Sequence, residues 1–189
     1  MKILKAVTAS LLLAALPLAS HAEDMSYSNI DLGYVNTDID GVGPSLDGFG
    51  VRGSIGFAEH YFAFAEYSSQ SVSGADLDQT AVGLGGHYGL SDNLDLVGRA
   101  GWFKANVSGG GLSASDDGYL VSAGLRGRAG DKVELEGSVI YTDLGGSSGN
   151  ETAVAVGGRY YFTKTLALGA EYQHSSDASS YLVGVRFDF

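Results

Sequence analysis

Residues 181–189 read YLVGVRFDF. Tyr181, Val183, Val185, Phe187 and Phe189 alternate with Leu182, Gly184, Arg186 and Asp188. A period of two marks a β-strand, because successive side chains leave opposite faces of the pleat. One face here is aromatic and aliphatic, and the other is mostly small or charged. A strand with rings along one edge needs nonpolar surroundings, either a protein core or a lipid. The remainder of the sequence decides between them.

At the other end stands MKILKAVTASLLLAALPLASHA, residues 1–22. Lys2 and Lys5 precede the apolar run Ala6–Leu18, and Ser20-His21-Ala22 forms a small-x-small cleavage site. The run is too short and wrongly flanked for a membrane-spanning helix. The expected organisation is a secretory signal peptide over 1–22 and one domain over 23–189. The chain has no cysteine, so no disulfide staples it. Its 22 acidic residues face 11 basic ones, and two of those lysines leave with the signal. Such acidity argues against a nucleic-acid partner. Twenty-nine glycines do not suit a helical protein, and beyond the signal no apolar run is long enough for a transmembrane helix.

The chain repeats itself. FAEHYFAFAEYSSQS (57–71) aligns without gaps on FTKTLALGAEYQHSS (162–176), LSDNLDLVGRAGW (90–102) fits the same template, and AGDKVELEGSVIY (129–141) fits more loosely. Each unit is a strand end, a tight polar turn and a strand of about ten residues, a repeated supersecondary unit. Alternation predicts ten strands, over 27–36, 48–58, 61–70, 78–90, 93–105, 117–129, 132–143, 151–162, 166–174 and 180–189. Eight would require merging candidates. The connectors near 59–60, 91–92, 130–131 and 163–165 are short. Those at 37–47, 71–77, 106–116, 144–150 and 175–179 read as longer loops rich in Gly, Ser and Asp. This rhythm describes an all-β, up-and-down antiparallel transmembrane barrel.

The two faces test the reading. On the predicted outer face, Tyr34, Tyr67, Trp102, Tyr141 and Tyr172 each precede a long connector, and Phe49, Tyr119 and Tyr181 join that rim. Phe57, Tyr88, Tyr160, Phe162, Phe187 and Phe189 lie toward the short turns. Between the two rings run aliphatics such as Leu32, Leu84, Leu125, Val156 and Val185. Aromatic girdles around an apolar band are expected where a barrel crosses a bilayer. The opposite face carries all six arginines, Arg52, Arg99, Arg126, Arg128, Arg159 and Arg186, with Asp31, Glu66, Asp95, Glu134, Glu136, Glu171 and Asp188. One arginine on the lipid face at mid-depth costs about 2–4 kcal/mol, so six there would be prohibitive. A soluble sandwich or lipocalin-like barrel would reverse the faces. Against it stands the large outward set of rings, ordered by strand direction into two rims.

With its signal segment, its strand rhythm and LVGVRFDF, the chain resembles the small outer-membrane β-barrels of Gram-negative bacteria, of the OmpX and OmpA-barrel kind. Those proteins close on a strand of the pattern polar-x-Gly-x-x-aromatic-x-aromatic. Gly184, Phe187 and Phe189 match it, and Leu182 departs at the polar position. The resemblance implies that the barrel-assembly machinery reads these three matching residues. It implies a surround of outer-membrane lipid and lipopolysaccharide.

The strongest constellation is the inward charge set: Arg52, Glu66, Arg99, Arg126, Arg128, Glu134, Glu136, Arg159, Glu171 and Arg186. It reads either as the selectivity lining of a narrow pore or as a mutually satisfied network plugging the lumen, which small barrels are just wide enough to fill with side chains. The size argument favours the plug. His174 and Ser176, with Asp177 adjacent, occupy the kind of rim position where some outer-membrane lipid-A deacylases place a His and a Ser. They are also ordinary headgroup-level residues, and short motifs mislead. His87 reads as a network member rather than a metal ligand, and His60 as a turn residue. Asp38, Asp40, Asp47, Asp76, Asp78, Asp116, Asp117, Asp143, Glu151 and Asp177 make the long-connector end acidic. DIDGVGPSLD (38–47) lacks calcium-loop spacing, so solvation and repulsion of anionic neighbours is the favoured reading.

The expectation is therefore an outer-membrane barrel without catalysis, cofactor or metal. It is monomeric and structural, with acidic loops that contact host or matrix surfaces. A narrow passive pore is the alternative, and a lipid-A-modifying enzyme the more distant one. Intact-mass measurement of the exported protein should find Glu23 as its first residue; retention of residues 1–22 would overturn the processing assignment.

Overall fold

The computed structural model describes residues 25–41, 43–145 and 149–189; the expected signal segment lies outside them. Ten strands follow in chain order: β1 (Asn29–Ile39), β2 (Leu46–Ala58), β3 (Tyr61–Val72), β4 (Ala75–Ser91), β5 (Leu94–Gly109), β6 (Leu112–Ala129), β7 (Val133–Leu144), β8 (Gly149–Tyr161), β9 (Leu166–Ser175) and β10 (Ala178–Asp188). Each pairs antiparallel with its chain neighbours, and β1 pairs with β10, so the sheet closes into a barrel. Ten is the observed number, not eight. Closure matters physically because it leaves no strand edge to expose unpaired backbone to hydrocarbon.

The connectors differ from expectation at one end. The segments read as long loops at 71–77 and 106–116 are instead strand, closed by two-residue turns at 73–74 and 110–111. Gly110 and Gly111 have φ of 61° and 81°, the doubly positive pair that a tight hairpin turn matching strand twist demands. β4, β5 and β6 therefore run 17, 16 and 18 residues, well beyond the 9–11 or so that cross a bilayer. Their outer parts are rich in Ser, Asp, Gly and Ala. The outward face of these extensions meets water and the inward face keeps only scattered aliphatics such as Leu77 and Val107, so the apolar alternation that announces a strand weakens there. β6 rises highest on one side. It pairs with β5 up to Leu112, whereas its pairing with β7 begins at Gly118. Among the described residues, Leu112–Asp117 thus forms a strand edge without a β7 partner.

The faces are as the arginine argument requires. Ile30, Leu32, Leu84, Leu96, Leu125, Leu135, Val156, Leu168 and Val185 are exposed on the outside, whereas Arg126 and Arg186 are among the largest fully buried side chains. Two further rings follow the alternation, although the sequence reading assigns them to neither set. Tyr61 adds to the short-turn girdle and stacks on Phe57, centroids 6.5 Å apart. Tyr27, just before β1, turns into the lumen and is buried.

The seam between the first and last strands uses close backbone approach. Gly184 pairs with Gly33, and a Cβ on Gly184 would strike the Leu32 carbonyl oxygen and come within 2.7 Å of the Gly33 Cα. Both are main-chain atoms that cannot swing away. Gly184→Ala should therefore destabilise the closed barrel by about 1–3 kcal/mol, read as a lower midpoint in urea unfolding from detergent micelles. Gly53→Ala, whose Cβ would meet nothing nearer than 3.7 Å, should change little.

Candidate functional site

The lumen is lined from every strand, and cross-strand register sets its charges. Glu66 on β3 lies opposite Arg52 on β2, Arg52 opposite Asp31 on β1, and Asp31 opposite Arg186 on β10. Four consecutive strands therefore present −, +, −, + in one row. Across the barrel Glu134 on β7 lies opposite Arg159 on β8, and Glu136 opposite Arg126 on β6. Directly opposed side chains of unlike charge stabilise strand pairs. Here they also neutralise one another where water is scarce.

Contacts tie the rows together. Arg186 grips Asp31 with both arms, Nε to Oδ1 at 2.8 Å and Nη2 to Oδ2 at 2.6 Å. This bidentate geometry is the strongest available to a carboxylate. Arg99 on β5 reaches over β4 to hydrogen-bond Glu66, and its guanidinium lies 3.9 Å from the Phe64 ring centroid. Between the two, the inward positions of β4 are only Ala81, Gly83 and Gly85, so no long side chain blocks the crossing. Glu134 receives Arg126 at 2.7 Å and Arg159 at 3.1 Å, although Arg126 stands opposite Glu136. Arg159 also lies 3.6 Å from Glu136, and Arg52 lies 3.7 Å from Glu171. The cavity left among Asp31, Arg52, Arg159, Glu171 and Arg186 has a volume of about 10 Å³, room for one water. Of the ten residues read as the lumen network, nine meet in these contacts. Arg128 stands apart, half-buried near the short turns and 5.7 Å from the Tyr161 ring.

Two further layers lie above and below. Toward the short turns, the Tyr27 ring is sandwiched between His87 and Phe62 at 3.8 and 4.8 Å, and its hydroxyl donates to Asp95 at 2.8 Å. Toward the extended hairpins, Ile39, Leu46, Leu77 and Leu144 are buried together with Phe103, Leu120 and Ile140. Ile39, Leu46, Leu77 and Leu144 sit in segments whose sequence reads as loop, so this aliphatic cap is not visible from alternation. Tyr27 shares the inward parity of Asn29 and Asp31, although the sequence reading assigns it no role in the lumen.

The outer girdle at the hairpin end has its own polar pattern. The Tyr34 hydroxyl donates to Asp47, Tyr67 to Asp78 at 3.0 Å, the Trp102 indole to Asp117 at 3.1 Å and Tyr119 to Asp143 at 3.3 Å. Tyr141 is half-buried against Tyr119, and Tyr172 shares a hydrogen bond with Ser179. Each ring so keeps its apolar body in lipid and its polar tip toward water. At the other rim Phe57, Tyr88, Tyr160, Phe162, Phe187 and Phe189 are exposed. Gly184 lies at the seam, with Phe187 and Phe189 on the outside of the same strand. The His174 Nδ1 pairs with Ser179 at 3.0 Å, across the turn, and Ser176 and Asp177 are exposed in that turn.

The chain matches the family model described as Gram-negative porin over residues 43–179, well over half of its length. It belongs to the Gram-negative porin family. This porin-family barrel is an outer-membrane protein. Among solved structures it is similar in fold to Ail, the attachment invasion locus protein of Yersinia pestis, at 17% identity over 86% of this chain and 97% of that one, TM-score 0.42. It is similar to the KdgM porin at 14% identity over 85% and 99%, TM-score 0.49, and to the NanC porin at 12% over 86% and 100%, TM-score 0.47. No curated protein matches its sequence.

Glu134 carries two arginines, so its removal leaves two buried guanidinium groups short of a counter-charge. Glu134→Ala should cost about 3–5 kcal/mol, the usual penalty for breaking a buried pair from one side, measured by urea unfolding of the lipid-reconstituted barrel. Arg128→Ala should cost under about 1 kcal/mol. Equal losses for the two variants would show that the network contributes no more than ordinary packing.

Proposed function

We propose that this barrel is a structural and surface-interaction protein of the outer membrane, with neither transport nor catalysis as its task. The observation that supports this reading is the side-chain-filled lumen: an ion network whose cavity among Asp31, Arg52, Arg159, Glu171 and Arg186 is about one water in size, an aromatic layer on one side and an aliphatic cap on the other. Unpaired charge in such an interior is expensive, which favours a sealed plug over a selectivity lining. The contact surface on this reading is the wall of β4, β5 and β6 that stands above the bilayer. It carries the β6 edge that has no β7 partner among the described residues, Leu112 exposed at its tip, and acidic side chains at Asp76, Asp78, Asp116 and Asp117. Its acidity suits basic host or matrix partners and disfavours sulfated polysaccharides. Lipopolysaccharide surrounds the girdles, the barrel works as a monomer, and Gly184, Phe187 and Phe189 serve as the assembly signal. His174 serves as a rim residue tied to Ser179 and not as a catalytic base.

A narrow passive pore is the second reading. It is favoured by the buried side-chain amides of Gln70 and Gln173, which have no protein hydrogen-bond partner and call for water. Planar-bilayer recording of the refolded mature chain separates the two. The plug predicts no stepwise current above the leak of protein-free membranes, and steady unitary currents would establish the pore instead.

A further inference from the structure

We propose that His60 and His87 form a two-imidazole site for a divalent transition-metal ion, such as copper or zinc, at the short-turn mouth of the lumen. The two residues are 27 positions apart in sequence but face each other across the β3–β4 ladder. The pair Tyr61–Gly86 is in register, and the His87 N–H donates to the His60 carbonyl at 2.9 Å. Opposed residues on neighbouring strands project to the same side, and here that side is the lumen. The two imidazole rings lie edge-on, with centroids 5.7 Å apart. A metal held at about 2.0–2.1 Å from a ring nitrogen sits about 3 Å from that ring's centroid, so this separation is close to that of two imidazoles sharing one ion.

The surroundings prepare His87 for ligation. Its Nδ1 faces Asp95 Oδ2 at 3.3 Å, which leaves Nε2 as the ligating nitrogen. Handing the second ring N–H to a carboxylate is how metal-binding histidines are oriented and made more basic. Asp95 is itself fixed by the Tyr27 hydroxyl at 2.8 Å, and the Tyr27 ring stacks on His87 at an interplanar angle of 17°. His60 is half-exposed and opens onto a basin of about 820 Å³ at the lumen mouth, so ions and water have access. Among the described residues no group of three His, Asp or Glu converges on one point. The pair therefore supplies two nitrogen ligands and water completes the sphere. Imidazole selects copper, zinc or nickel over calcium or magnesium, which prefer oxygen.

The test uses tag-free mature chain refolded in detergent, titrated with Cu²⁺ by calorimetry and examined by electron paramagnetic resonance. One ion per barrel with coupling to two nitrogens is expected. His60→Ala and His87→Ala should each lose the two-nitrogen signature. Asp95→Asn should keep that signature while weakening affinity about tenfold, as loss of an orienting partner does. His174→Ala, at the opposite rim, should change nothing. Absence of saturable binding, binding that survives His60→Ala, or binding that depends on His174 would overturn the proposal. His60 is a turn residue, so His60→Ala remains decisive even where His87→Ala fails to show the unheated gel mobility of a folded barrel.

Discussion

The whole arrangement depends on one exclusion: a guanidinium group does not stay in hydrocarbon. Six arginines on one face of a ten-strand ribbon force that face inward. Once inward, they cannot remain alone, because a buried cation without a counter-charge costs several kcal/mol. The carboxylates of β1, β3, β7 and β9 answer that need strand by strand. What results is a polar interior held at fixed register inside an apolar exterior, the inverse of a soluble domain. Register is pinned from both faces at once, since a slip of one residue in a strand would turn that strand's arginines toward lipid.

The lumen is consequently layered. At its middle, charges of opposite sign meet on Asp31, Glu66 and Glu134. On one side Tyr27, Phe62 and His87 form a stacked aromatic floor, and on the other Ile39, Leu46, Leu77 and Leu144 form an aliphatic roof. Residues of very different chemistry can share one small cylinder because the glycines of β4 give up their volume to the aromatic side chains of β3. Phe64 and Phe62 occupy the space that Gly83 and Gly85 leave.

Much of this is legible in the sequence where a physical penalty enforces a pattern. The strand number, the sidedness, the two aromatic rims and the membership of nine network residues follow from alternation together with the cost of charge in lipid. The same signal fails where the penalty lapses. Above the bilayer Asn106, Ser108, Ser113 and Ser115 alternate only with small residues and single aliphatics such as Val107 and Leu112, a period too weak to stand out from a loop. The aliphatic roof is hidden for the same reason, its members scattered through those polar segments. Pairing choice is invisible as well. Arg126 faces Glu136 in register yet bonds Glu134, a matter of side-chain reach that spacing along the chain does not encode.

The clasp between Arg186 and Asp31 joins residues 155 positions apart, on the first and last strands. Until the cylinder shuts, Arg186 lacks the carboxylate it grips, and Asp31 has only Arg52 on the neighbouring strand as a counter-charge. A half-rolled sheet is therefore barred from settling into the bilayer, and the event that completes the circle is also the one that makes the protein miscible with lipid. Closure and partitioning become a single cooperative act, with the terminal strands as its latch.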